Sequence, residues 1–115
     1  RMTTRNVAKI AERMSALSDE MVRVSSVLVS NRSRIPAQPH LSGLEREAKI
    51  VANILRGNFP LSDGALNLAE NIDSWCETWR EWRDLPTSNS VDASLSVGME
   101  LGARFVAHRA DMLRS

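Results

Sequence analysis

Val7, Ile10, Met14, Leu17, Met21, Val24 and Leu28 follow one another in unbroken 3-4 spacing near the start of this chain. Spacing of this kind places apolar side chains on one stripe of an α-helix, and at 1.5 Å per residue such a helix runs about 40 Å. A stripe that long requires a facing surface, supplied either by the rest of the chain or by another protein. Its later part, Met21 to Val29, is rich in β-branched residues and suits a strand by propensity. The continuing 3-4 spacing and the absence of a matching partner strand keep it helical.

With 115 residues the chain has material for one domain and one modest core. Its hydrophobic fraction of 43% and charged fraction of 25% are those of a folded globular protein. No apolar run approaches the roughly 18–20 residues of a membrane span. The start, Arg1-Met2-Thr3-Thr4, has no apolar stretch of the kind that directs export, and Arg1 before Met2 reads as a tag remnant. A lone cysteine, Cys76, has no internal disulfide partner. These features lead us to expect a cytoplasmic protein without a membrane segment. The net charge of +1 conceals an asymmetry, +5 over residues 1–56 and −4 over residues 57–115. Attraction between the two halves is the plainer reading; a basic face for an acidic partner is the other.

Four helical segments are predicted, about 4–30, 43–56, 63–84 and 91–113, so the fold class is an all-α, four-helix arrangement with a long N-terminal amphipathic helix. Pro36 and Pro39 are expected to break the chain over Asn31–Pro39. Ser42-Gly-Leu-Glu45 fits a capping box, opening a second helix that buries Leu44, Ala48, Val51, Ile54 and Leu55 and ends at Gly57. Ser62 or Asp63 is placed to cap the third helix, and Ser90 or Asp92 the fourth. Leu85-Pro-Thr-Ser-Asn-Ser90 is a linker by composition. The third helix carries Ala65, Leu68, Ile72, Trp75, Trp79 and Trp82 on one stripe, and the fourth has a small face at Ser94, Gly98 and Gly102. A stacking surface for bases is conceivable. A packed core is the better account of the tryptophans, since each ring buries roughly 150–250 Å². We therefore expect the Trp row to pack on the Gly row.

Catalytic chemistry finds little support. Arg104-Phe-Val-Ala-His108 is one residue short of the R-x4–6-H motif of helical HEPN ribonucleases. Glu70-Asn-Ile-Asp73 has the E-x-x-D spacing of Mg²⁺ ligands in helical nucleotide pyrophosphatases related to MazG, but the acidic cluster those enzymes need on a second helix is missing. His40 and His108 have no ligand-type neighbours at metal spacing. No nucleophile elbow or phosphate loop is present. We expect no enzyme activity, no catalytic or metal residues and no cofactor. Arg1, Arg5, Lys9, Arg13, Arg23, Arg32 and Arg34 make the first third basic, yet they spread around the helix. Direct nucleic-acid binding is thus the runner-up reading, as a small helical accessory protein.

The long seam remains. It outruns the predicted second helix and contains the adaptable Met14 and Met21, while Val22, Val27 and Val29 widen its later part. One portion is expected to serve the core. Met14, Leu17, Met21, Val24 and Leu28 are the residues expected to bind a partner or a twin subunit in a homodimer. The opening Met2-Thr-Thr-Arg-Asn-Val-Ala-Lys-Ile-Ala-Glu-Arg-Met14, the size, the arginine bias and the all-helical pattern resemble the small QslA-type antiactivators of bacterial quorum sensing. That resemblance implies a cytoplasmic transcription regulator acting by protein–protein interaction. Its partner would be a LuxR-type (LasR-like) transcription factor, whose dimerisation and hence DNA binding it would block.

Overall fold

A computed structural model of the chain describes residues 4–31, 34–58, 63–84 and 93–115. They form four α-helices: α1 (Thr4–Asn31), α2 (Arg34–Asn58), α3 (Asp63–Asp84) and α4 (Ala93–Arg114). The expected linker over 85–90, the caps assigned to Ser62, Ser90 and Asp92, and Arg32 lie outside the described residues, as does the side chain of Asp63. The bundle measures 48 × 20 × 19 Å, its long dimension set by the 28 residues of α1.

The helices pack antiparallel in sequence order. Arg13 of α1 pairs with Glu47 of α2, and Lys49 and Arg56 of α2 with Asp73 of α3. Ser18 of α1 bonds the Ala103 carbonyl of α4 at 2.8 Å. α1 packs closely along both α4 and α2, and α2 along α3. The edge between α3 and α4 lacks comparable close backbone packing, so three sides of the four-helix square are tight and the fourth is filled mainly by side chains. One apolar cluster joins all four helices, with Met14, Leu17, Met21, Val24 and Leu28 of α1 at its centre.

Helix α2 departs from the sequence reading. It begins at Arg34 and not near Ser42, and it runs through Pro39. Pro36 falls in the first turn, where backbone N–H groups have no intrahelical acceptor. Pro39 forfeits one internal hydrogen bond. In exchange, Ala37 and Leu41 are buried in line with Leu44, Ala48, Val51 and Leu55. Ser42 is consequently no cap. Its hydroxyl accepts from Arg83 Nη1 at 3.2 Å, while Glu45 pairs with Arg80 and Arg83 of α3. With 25 residues, α2 matches α1 along most of its length, so the idea that α1 outruns its neighbour is corrected. Gly57 stands one residue before the helix end, where the Asn58 side-chain amide donates to the Ile54 carbonyl at 2.8 Å.

Candidate protein-docking groove

The five α1 residues expected to bind a partner do not form a surface. Met14 is 1% exposed and Leu17, Met21, Val24 and Leu28 are 0% exposed, because α2 and α4 cover both flanks of their stripe. In this fold they hold the helices together. A docking surface has to be sought elsewhere, and the loosely packed α3–α4 edge is where the clefts lie.

Two clefts open along that edge. One, of about 230 Å³, has Met14 and Leu55 beneath it, Gly64, Ala65 and Leu68 on the α3 wall, and Arg109, Met112 and Leu113 on the α4 wall. The other, of about 250 Å³, is lined by Trp75, Thr78, Trp79 and Trp82 of α3 and by Ser94, Leu95, Gly98 and Met99 of α4, with Met21 beneath. Between them the helices are bridged by Trp75. Its ring carbons lie 3.4–3.5 Å from the place a Gly102 Cβ would occupy, and its ring meets that of Phe105 edge-on with centroids 6.4 Å apart.

The expected packing of the Trp row on the Gly row therefore holds at one level only. At Gly102 the packing is close: a Cβ there would lie 3.0 Å from Met21 Cε, the mobile end of that side chain. Gly98 has nothing within 4 Å of its Cβ position. A glycine in mid-helix costs about 1 kcal/mol relative to alanine, and no neighbour among the described residues accounts for it at position 98. The result is an open notch in the α4 wall.

Helix α4 also has a second apolar line that the sequence reading missed. Val97, Leu101 and Met112 are 56%, 58% and 53% exposed, and Phe105 between them is half-buried. The signal was legible as 97-101-105 spacing beside the core stripe of Leu95, Met99, Ala103, Val106 and Ala110. Arg109 sits over the Phe105 ring at 5.1 Å and makes no ion pair with an acid among the described residues.

The other candidate chemistry disperses. Asp73 is held by Lys49 and Arg56, so Glu70-x-x-Asp73 is not a free carboxylate pair. Arg104 and His108 are both exposed on α4. Among the described residues no group of three or more His, Cys, Asp or Glu could hold a metal ion. Cys76 is buried, and desolvation pushes its thiol up to about 11, which keeps it protonated and inert at neutral pH. The basic N-terminal third is partly neutralised within the fold, Arg13 by Glu47 and Arg23 by Glu20. No helix among the described residues is long and apolar enough to cross a membrane.

Burial acts to raise the Glu45 carboxyl, but the guanidiniums of Arg80 and Arg83 outweigh it and hold the group below the ordinary carboxylate range. This pairing fixes α3 against α2 and leaves the opposite side of α3 to face α4. Comparison of the chain with family models, with curated proteins and with solved structures finds no match.

Proposed function

We propose that this chain is a non-enzymatic, protein-binding regulator that docks another protein along α4 and the α3–α4 groove. The observation that carries the reading is the outer line of α4. Val97, Leu101 and Met112 stay more than half exposed although the core beside them is closed. Aligned apolar residues of this size beside a groove are the ordinary makings of a helix-in-groove or helix-on-helix interface.

The resemblance to quorum-sensing antiactivators supplies the partner: the ligand-binding domain of a LuxR-type, LasR-like transcription factor in the cytoplasm. Covering that domain's own dimer surface would leave single subunits, and a two-half-site operator is held poorly by one subunit. Competition of this kind calls for a central apolar anchor and not for catalytic groups. Leu101 is that anchor in our reading, with Val97 and Met112 on either side. Nucleic-acid binding is less well supported, because Arg13 and Arg23 are engaged in ion pairs.

The test is co-sedimentation with a purified LuxR-type ligand-binding domain, with Leu101→Asp beside the parent protein. We expect the parent to form a complex whose affinity changes little with salt and to shift the regulator from dimer to monomer. Leu101→Asp should lose the complex at unchanged helicity. A free protein that sediments as a dimer through this face, and remains one when the regulator is added, would overturn the reading. Unchanged regulator binding by Leu101→Asp would overturn it as well.

A further inference from the structure

We infer that the outer line of α4 closes on a second copy of this chain, α4 lying antiparallel on α4 about a two-fold axis level with Gly102. The inference shares its face with the docking reading above but needs no regulator. At about 100° per residue, Val97, Leu101 and Phe105 fall within an arc of about 80° on the side of α4 turned away from the core. Glu100 and Arg104 stand together on one flank of that arc. Both are exposed, and neither makes an ion pair among the described residues. A two-fold contact is self-complementary, so the residue that meets its partner is met by it in return. An axis level with Gly102 brings each Glu100 opposite Arg104 of the second copy, twice over.

The same axis fits the apolar residues together. Along the contact they alternate between the copies as Val97, Phe105, Leu101, Leu101, Phe105 and Val97, with about 3 Å between successive levels. None of them meets another head-on. Phe105 of the second copy stands one residue from the level of Gly98, on the same flank, where nothing lies within 4 Å of the Cβ position. The notch receives the exposed edge of that ring. Charge favours a copy of this chain over other occupants. A parallel pair would oppose Glu100 to Glu100 and Arg104 to Arg104. An anionic lipid or nucleic-acid surface would face Glu100, and a cationic one Arg104. Where the face passes onto α3 it meets Asn71 and Thr78, uncharged and hydrogen-bonded within their own helix. The contact is small, three large apolar side chains per copy against about 20–30 residues a side in a standard interface. A dissociation constant of about 10–100 µM follows, so the dimer opens on dilution and leaves the face free.

The test is sedimentation equilibrium of the chain alone from about 1 to 500 µM. We expect monomer–dimer exchange, weakened at least tenfold in Leu101→Asp and in Gly98→Leu, with both variants helical by circular dichroism. Glu100→Arg and Arg104→Glu should each weaken self-association at least tenfold. Their equimolar mixture should dimerise as the parent does, because every cation again meets a carboxylate, a rescue that altered folding cannot produce. Under mild oxidation Leu101→Cys should form a disulfide-linked dimer, its two copies about 3 Å apart along the axis, and Met112→Cys should not, its copies being about 30 Å apart. Cys76 is buried and takes no part. A monomer at every concentration, a dimer that survives Leu101→Asp, indifference to Gly98→Leu, a mixture that stays monomeric, or equal cross-linking of the two cysteine variants would overturn the inference. Those outcomes leave the docking reading standing, which falls instead if Leu101→Asp still binds the LuxR-type domain.

Discussion

Ser25 and Ser96 face each other in the buried seam between α1 and α4, their hydroxyl oxygens 2.8 Å apart, with Ser25 Oγ also within donating distance (3.0 Å) of the Ser96 carbonyl. A side chain as short as serine reaches the opposite backbone only where two helices run close together. Seven residues earlier on α1, Ser18 does the same to Ala103, seven residues later on α4. Ala11 and Ala110 occupy the next level and are both fully buried. Two heptad rows of small residues, 11-18-25 and 96-103-110, thus form the tightest seam of the bundle.

Enlarging this seam should cost more than removing its hydrogen bonds. Ser25→Ala leaves Ser96 able to bond the residue 25 carbonyl, so a loss of about 1 kcal/mol is expected. Ser25→Leu forces the helices apart and should cost about 1–3 kcal/mol more by overpacking. Urea unfolding of the two variants checks the order; a leucine variant as stable as the alanine variant would show that the seam is not close-packed.

The same seam explains what the sequence showed and what it hid. The large apolar stripe of α1 was legible because Val, Leu, Ile and Met at 3-4 spacing point to burial whatever covers them. The row at 11, 18 and 25 was just as regular, but serines at helical spacing look like a solvated face until a second small row is set against them. Pro39 misled for a related reason. Its local penalty is plain in the sequence, whereas the compensating burial of Ala37 and Leu41 exists only once α3 and α1 are in place. The docking residues were misplaced because a long stripe does not say how many of its flanks its own chain covers.

Glycines 98 and 102, four residues apart, should respond oppositely to a methyl group. At Gly98 the added Cβ meets open space, so Gly98→Ala should stabilise by about 1 kcal/mol through helix propensity. At Gly102 the Cβ would press on Met21 Cε and approach Trp75, and although the Met21 terminus can shift, larger residues cannot be accommodated. Gly102→Val should destabilise by about 1–3 kcal/mol. Thermal midpoints moving in the same direction for Gly98→Ala and Gly102→Val would contradict the placement of α3 against α4.

The Glu45 pairing makes a pH-dependent contribution of known sign. Its folded carboxyl titrates below the unfolded one, so the folded state binds fewer protons. The contribution is fully present above the ordinary carboxylate pKa and fades as pH falls through the lower, folded value. Glu45→Gln removes the charge and leaves Arg80 and Arg83 without it. The stability gap between parent and Glu45→Gln should be widest near neutrality and close in acid; a gap independent of pH would mean the ion pair contributes nothing.

Charged substitution of Met21 and Leu28 separates a core from a surface most sharply. Both side chains are fully buried, Met21 beneath Gly102 and the tryptophan cleft, Leu28 further along the same stripe of α1. An aspartate at either position would be desolvated, and the surrounding residues in the apolar cluster offer no cationic partner. Met21→Asp alone should cost more than about 4 kcal/mol, since it combines a buried charge with a lost core side chain. For a domain of this size that is a large fraction of a total stability of roughly 5–15 kcal/mol. The double variant Met21→Asp/Leu28→Asp should be unfolded at 25 °C by circular dichroism, and Leu101→Asp, on the outer line of α4, should remain helical with an unchanged midpoint. A double variant that stays folded while losing a partner would return the docking role to α1.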